Sequence, residues 1–268
     1  MLKRFSVTDD FTRDYLEYGC VILTDLFDPD EVKAIQDEIL EIFAIRFSSI
    51  GIDKPDPLSL VKEHYDDAKE AWRECAKWMQ NSILLSRAAS KKKLTNVLST
   101  VGLAKSMISP LPEVRIDMPD DDNYRQPWHQ DWRTGQGSLN SLTIWLPLHN
   151  VDAKCGAISA IPSSHLWGLC ETEVQYNPRR FISVDARIEK EMSFVAELQR
   201  GECLLFSQML VHGSGFNRSG EPRMTCQLRY SDLSEAAFLE NGLQIAQSDE
   251  LIWSNPPTGE KMRMVYSQ

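Results

Sequence analysis

Apolar positions in the first hundred residues recur at helical spacing, and beyond them the pattern shortens into brief runs. Thr8-Asp9-Asp10 reads as the start of a helix through Tyr18 that Gly19 ends, with Cys20-Val21-Ile22-Leu23 as a short strand after it. Asp28-Pro29-Asp30-Glu31 predicts a second helix, Asp28 being the N-cap and Pro29 the first helical residue. Val32, Ile35, Ile39, Ile42 and Phe43 then fall on one face of it. Residues 48–60 contain two prolines and a glycine and read as loop. Residues 62–88 and 91–101 return to helical spacing, with Trp72, Trp78 and Leu84 predicted in the core.

From about Leu111 the texture is that of strands. Glu113–Met118, Ser141–Leu148, Ala157–Ile161, Phe194–Leu198, Cys203–Phe206 and Met224–Tyr230 are apolar or alternating runs divided by Gly, Pro, Asn and Asp. Helices first and short strands afterwards predict an α+β chain with a sandwich or barrel in its second part. No helical pattern alternates with the strands, which disfavours a parallel βαβ sheet.

With 268 residues, 42% of them apolar, the chain can bury a core without disulfides or a structural metal. No run of about 18 apolar residues is present, which excludes a membrane-spanning helix. The opening MLKRFSVTDDF has no apolar stretch of the kind a secretion signal needs. Twenty-nine basic against 39 acidic residues give a net charge of −10, an argument against nucleic-acid and anionic-membrane partners. Cys20, Cys75, Cys155, Cys170, Cys203 and Cys226 form no C-x-x-C pair and read as reduced thiols. A soluble, cytoplasmic protein is the expectation. Lys91-Lys92-Lys93 reads as a solvated helix start, not an anion site.

The sharpest chemical feature is Trp128-His129-Gln130-Asp131. On an extended backbone residues i and i+2 share a side, so His129 and Asp131 can present an imidazole and a carboxylate to one point. A second histidine, from His64, His149, His165 or His212, would complete two histidines and a carboxylate on one face of a metal, the donor set of non-haem Fe(II) oxygenases. Val211-His212-Gly213-Ser214-Gly215 lies where a strand-like run passes into a turn and glycine permits close approach. Arg223 opens the next run; a buried guanidinium there needs an anionic partner, which an acidic cosubstrate such as 2-oxoglutarate supplies. The Gly-Ser-Gly stretch is no phosphate loop, since neither G-K-[ST] nor a βαβ unit accompanies it.

W-H-Q-D, S-L-T-I-W-L-P-L-H-N-V, G-A-I-S-A-I-P-S-S-H, V-H-G-S-G and the following arginine, taken in order, resemble the phytanoyl-CoA dioxygenase family of Fe(II)/2-oxoglutarate oxygenases. The helix, G-C-V-I-L and acidic-Pro helix of residues 10–26 and beyond are also similar to that family. The resemblance implies an α+β fold with a double-stranded β-helix (jelly-roll, cupin-like) core and N-terminal helices packed on one side. The expected organisation is one domain over residues 1–268, with helical support at 1–110, the jelly roll at 111–232 and an extension at 233–268. It further implies His129, Asp131 and His212 as iron ligands, Arg223 and Ser214 as contacts of 2-oxoglutarate, and Trp145 and Thr143 beside it on one strand. Arg115 is the nearest basic equivalent of the family's cosubstrate lysine.

Pro162-Ser163-Ser164-His165 departs from the family's P-G-S-H at Ser163. Asp131 keeps the carboxylate that halogenating relatives lack, which disfavours halogenation. His149 and His165 sit beside turn signals and read as structural, His64 as exposed on a helix, and Trp145 has a plain core role as its competing reading. The expected reaction is hydroxylation of a small polar, possibly anionic, metabolite with dioxygen and 2-oxoglutarate. Desaturation, cyclisation or epimerisation by the same iron chemistry, or a noncatalytic jelly-roll binding protein, are the alternatives. The loop Trp132–Asn140 is expected to rim the pocket, with Arg133, Arg125 and Arg229 as substrate contacts.

Overall fold

The computed structural model describes residues 2–108, 112–123, 125–176, 179–245 and 251–267. The boundary expected at Leu111 falls outside them. In chain order the elements are β1 (Arg4–Phe5), α1 (Thr12–Tyr18), β2 (Cys20–Leu23), α2 (Pro29–Ser48), α3 (Pro57–Glu63), α4 (Lys69–Trp78), α5 (Ile83–Ala89), α6 (Lys92–Thr100), β3 (Ser106–Ile108) and β4 (Glu113–Asp117). There follow α7 (Trp132–Gly135), β5 (Ser141–Pro147), β6 (Ile158–Ala160), β7 (Thr172–Tyr176), β8 (Arg179–Ser183), β9 (Phe194–Val195), β10 (Cys203–Ser207), β11 (His212–Ser214), β12 (Arg223–Asp232), α8 (Ala236–Glu240) and α9 (Gly259–Val265).

Among the described residues, two larger sheets, one two-stranded sheet and a helical layer make up the fold. The large sheet runs β1-β2-β10-β5-β12-β3, with β4 also paired to β12; the small one runs β11-β6-β9, and β7 and β8 form a hairpin. Alternation along the strands of the large sheet decides what each face covers. Leu142, Ile144 and Leu146 of β5 join Leu205, Cys226 and Leu228 in one core with Val32, Ile35, Ile39, Phe43 and Phe47 of α2. The intervening Trp145, with Leu204 and Phe206, packs instead on Ala157, Ile158 and Ala160 of the small sheet. This is the jelly-roll architecture with helices on one side.

α2 begins as its sequence predicts: Asp28 and Glu31 form a reciprocal capping box around Pro29. Each fully buried Ile or Phe on its inner face contributes about 1.5–3 kcal/mol. α1 stops at Gly19, which takes φ 74 and returns its N–H to Tyr15 at 2.8 Å. Ser163, where the resemblance has glycine, also adopts a left-handed φ of 62. Its N–H donates to the Tyr18 carbonyl at 2.8 Å and its hydroxyl to the Glu17 carbonyl at 2.8 Å, so neighbouring structure holds the strained turn.

Several expectations are corrected. Residues 48–60 are not all loop: Asp56 caps α3 and Pro57 opens it. Trp78 is 67% exposed while Trp72 is 5% exposed. Six positions further on, Trp78 lies about 120° round α4 from Trp72, off the buried face. Leu84 is half-buried at the edge of the core. His64 ends α3 half-buried, its ring 5.6 Å from that of Phe47, instead of standing exposed. Lys91 is half-buried, pairs with Glu31 at 2.7 Å and lies over the Phe27 ring, while α6 begins at Lys92. The β7–β8 pair is absent from the expected strands, although Thr172, Val174 and Tyr176 alternate with Glu173 and Gln175, which was a legible strand signal.

Candidate metal centre

His129 and His212 exchange both backbone hydrogen bonds, N–H of His129 to the His212 carbonyl at 2.8 Å and the reverse at 3.0 Å. That bridge extends the small sheet by one residue and brings the imidazoles together, their centroids 4.2 Å apart and their planes inclined at 47°. Each Nδ1 lies beside the carbonyl two residues before it, Pro127 at 2.8 Å for His129 and Leu210 at 2.9 Å for His212. A carbonyl only accepts, so both Nδ1 atoms carry the proton and both Nε2 atoms keep a lone pair.

The lone pairs face one oxygen of Asp131. Oδ1 is 3.5 Å from His129 Nε2 and 3.7 Å from His212 Nε2. One donor atom from each residue lies within 4.8 Å of the others, and Asp131 and His212 are buried. Burial, then the neighbouring His129, pushes the His212 imidazole down to about 3, so it is neutral at physiological pH. Burial alone would raise the Asp131 carboxyl; Arg229, followed by the two histidines, outweighs it and holds the carboxyl well below the usual range. Two imidazole Nε2 atoms converging on a carboxylate oxygen are the donor set of a divalent transition metal.

Asp131 does not occupy the extended backbone expected of it. It has helical φ and ψ of −57 and −34 and precedes the single turn α7. The two side chains meet because the chain bends after the His129 bridge, not because i and i+2 share a strand face. Nor is Trp132–Asn140 a polar rim: Trp132 is fully buried, and its indole N–H donates to the carbonyls of Gly137 at 3.1 Å and Ser138 at 3.2 Å.

The second oxygen, Oδ2, accepts from the Thr143 hydroxyl at 2.7 Å and from Arg229 Nε at 3.3 Å. Thr143 and Arg229 are cross-strand partners on β5 and β12, so the register aims both at the same atom. Arg229 Nη1 also reaches Glu113 at 2.9 Å, and Nη2 contacts Gln227. Arg229 therefore supports the Asp131 carboxylate from within the fold. Arg125 is likewise paired, to Asp122.

The same face of β4, β12 and β5 carries the remaining candidates. Arg223 is 2% exposed and pairs with Asp117 through Nη2 at 2.8 Å. Its Nε and Nη1 are buried with no hydrogen-bond partner among the described residues. A Cβ on Gly156 would come within 3.1 Å of Nη1, and one on Gly215, next to Ser214, within 2.9 Å of the Ala157 carbonyl, so glycine keeps this wall open. Arg115 reaches the other Asp117 oxygen at 3.2 Å. Trp145 is buried opposite Gln227 and Leu204. Ser214, on β11, is half-buried. Arg133 is half-buried against the Phe181 ring of β8, at 5.1 Å.

His149 and His165 stay away from this cluster. His149 Nε2 accepts the Met224 N–H at 3.0 Å, and His165 is buried with Nε2 donating to the Leu16 carbonyl at 3.1 Å. Sequence reasoning missed Gln130, whose amide donates to the carbonyls of Gly168 at 2.9 Å and Met209 at 2.7 Å. It missed Asp117 and Glu113 too, although their i, i+2 alternation with Arg115 was a legible signal.

Residues 15–225 match the family model of phytanoyl-CoA dioxygenase (PhyH). The peroxisomal phytanoyl-CoA dioxygenase of Rattus norvegicus is 19% identical over 81% of this chain, and the match spans 66% of that relative's length. Among solved structures, the carbocyclase SnoK from nogalamycin biosynthesis superposes with a TM-score of 0.61 at 14% identity, covering 94% of this chain and 96% of its own. EctD from S. alaskensis, solved with 2-oxoglutarate and 5-hydroxyectoine, gives 0.60 at 19% identity over 84% and 76%. The epimerase SnoN, solved with Fe3+, alpha-ketoglutarate and nogalamycin RO, gives 0.58 at 19% identity over 83% and 82%. These likenesses agree with the two-sheet architecture, and the sequence match runs through most of the chain, both histidines and Asp131 included, so the chain belongs to the phytanoyl-CoA dioxygenase family.

Proposed function

We propose that this protein is a non-haem Fe(II)- and 2-oxoglutarate-dependent dioxygenase that hydroxylates an unactivated C–H bond of a small polar metabolite. The observation that carries the reading is the convergence of His129 Nε2, His212 Nε2 and Asp131 Oδ1, each with its other polar atom already engaged. Those three residues would hold the iron and leave open coordination positions for cosubstrate and dioxygen. With 2-oxoglutarate and dioxygen bound, the iron supplies the oxidising power for C–H cleavage.

The chain's own part is to bind, orient and exclude. Arg223 retains two buried nitrogens, Nε and Nη1, whose N–H groups fit the distal carboxylate of 2-oxoglutarate, while Asp117 fixes the rest of its fork. Ser214, Thr143, Trp145 and Arg115 are the accompanying cosubstrate residues in this reading. Trp145 and Phe206 supply dry walls beside the centre. Arg133, against Phe181 of β8, is a substrate candidate in this reading, together with Arg125 and Arg229. No helix among the described residues is long and apolar enough to cross a membrane.

Anaerobic titration with Fe(II) and then 2-oxoglutarate tests the reading through the metal-to-ligand absorption band. The wild type is expected to develop the band; His129→Ala, Asp131→Ala and His212→Ala are expected to lose it. Arg223→Ala should keep metal binding but weaken 2-oxoglutarate by about 30-fold or more, the usual cost of unpairing a buried carboxylate. A triad variant that retains the wild-type band would refute the ligand assignment. Mass analysis of turned-over metabolites then separates a gain of one oxygen from loss of two hydrogens or an unchanged mass.

A further inference from the structure

Asp131 is the one member of the triad without a strand to hold it. His129 and His212 are fixed by their mutual backbone bridge, whereas Asp131 leads a four-residue turn, far too short to be stable by itself. We propose that the C-terminal segment 251–267, which lies beyond the residues matched by the family model, is the buttress that fixes the backbone carrying Asp131, whose carboxylate Thr143 and Arg229 hold at the metal centre. The inference rests on the metal-site reading above.

Three contacts carry it. α7 ends at Gln136, a fully buried residue held at a left-handed φ of 43. Its carbonyl accepts the Trp253 indole N–H at 3.1 Å, and its side-chain oxygen accepts the Ile252 N–H at 2.8 Å. Trp253 meets the Trp132 ring edge-on at 5.3 Å and stacks on Phe238 behind, so the residue following Asp131 is boxed in.

On the other flank, Gln130 is tied to Gly168, and Gly168 lies against the same segment. Gly168 bridges Thr258, Leu169 N–H donates to the Pro257 carbonyl at 2.8 Å, and a Cβ on Gly168 would come within 2.6 Å of Gly259 N. Finally, the Tyr266 hydroxyl bonds that of Ser207 at 2.7 Å, and the next residue, Gln208, accepts the Trp132 N–H at 3.0 Å. Both neighbours of Asp131 in sequence, and the strand end behind it, are thus secured by one segment. A non-glycine residue persists at positive φ only where its surroundings over-determine it, and here Trp253 and Ile252 do so. Trp253 and Gln136 are positioning residues: they touch neither metal nor substrate and act through the Asp131 backbone.

The experiment is Co(II) titration of the full chain under argon, read by visible absorption well below the melting temperature. Trp253→Ala is expected to weaken Co(II) about 10-fold or more, as loss of outer support does at other metal sites. Phe43→Leu, a core change in the helical layer chosen for a similar loss in Tm, is expected to bind as wild type. In the Asp131→Ala background, Trp253→Ala should add no further loss. If Trp253→Ala does not fold, Trp253→Phe keeps the ring stack and removes only the N–H, with an expected loss of about 5-fold. Wild-type affinity in the Trp253 variants, an equal loss in Phe43→Leu, or a loss that persists without Asp131 overturns the buttress. Failure of the wild-type chain to bind Co(II) overturns the metal reading itself, and this inference with it.

Discussion

Asp131 divides its two oxygens between the paired imidazoles and a polar clamp. Oδ1 faces the lone pairs of His129 and His212, while Oδ2 is held by Thr143 and by Arg229, itself anchored on Glu113. A carboxylate so divided can offer one oxygen to a metal and cannot swing to offer both. Thr143→Val keeps the shape and deletes the 2.7 Å hydrogen bond, and is expected to weaken Mn(II) binding by about 10–100-fold, with Thr143→Ser close to wild type. Calorimetric titration of Mn(II) checks this; equal affinities for Thr143→Val and wild type would show that Oδ2 needs no support. Arg229→Met should act in the same direction, since it removes the guanidinium that holds Oδ2 at 3.3 Å.

At the scale of elements, the packing of α1 against the loop after β6 depends on a missing side chain. Gly19 is both the left-handed stop of α1 and the place where the His165 ring lies, and a Cβ there would collide with His165 Nδ1. Gly19→Ala therefore combines a backbone cost of about 1–2 kcal/mol with an overpacking cost of about 1–3 kcal/mol, an expected loss of about 2–5 kcal/mol. Gly51 is the internal control: its φ is 78 but nothing lies within 4 Å, so Gly51→Ala should cost only the backbone share of about 1–2 kcal/mol. Urea unfolding of the two variants measures the difference, and equal losses would mean that the helix–loop contact relaxes. Register acts at the same scale: a one-residue slip of β12 against β5 would turn Arg223 and Arg229 away from the inner face and bury Leu228 there.

For the whole molecule, acidity acts through groups buried between its layers. Burial pushes the His165 imidazole down to about 4 from an ordinary 6.5, against a smaller opposing hydrogen bond to Leu16. Between those two values the unfolded chain binds a proton that the folded chain does not. Stability from this residue is thus fully present above about pH 6.5 and declines as pH falls toward 4, by at most about 3 kcal/mol. His165→Leu should flatten that part of the curve, read as urea midpoints between pH 4 and 7. An unchanged slope would mean that His165 opens to solvent before it titrates. The six cysteines are buried and unpaired, and burial raises the thiol pKa of Cys20, Cys75, Cys155, Cys170, Cys203 and Cys226, so alkylation should be slow in the folded protein and complete in denaturant.

What the chain states locally could be read from it directly. The Asp28 cap, the Gly19 stop, the strands Ser141–Pro147 and Cys203–Ser207 and the helix-then-strand order follow from spacing, capping chemistry and alternation, all encoded within a few residues. The grouping of His129 with Asp131 and His212 was legible because imidazole and carboxylate donors stand in a recognisable order along the chain. The second partner of each side chain was not legible. The pairing of Arg229 with Asp131 and Glu113 was hidden because sequence shows a cation but not the distant carboxylates that folding brings to it. Trp78 looked like core because apolarity gives no direction until the neighbours of α4 are known. The bend that carries Asp131, the cross-strand meeting of Thr143 with Arg229 and the reach of Trp253 to Gln136 join residues far apart in sequence, and their geometry follows from sheet register and layer packing, which only the tertiary structure decides.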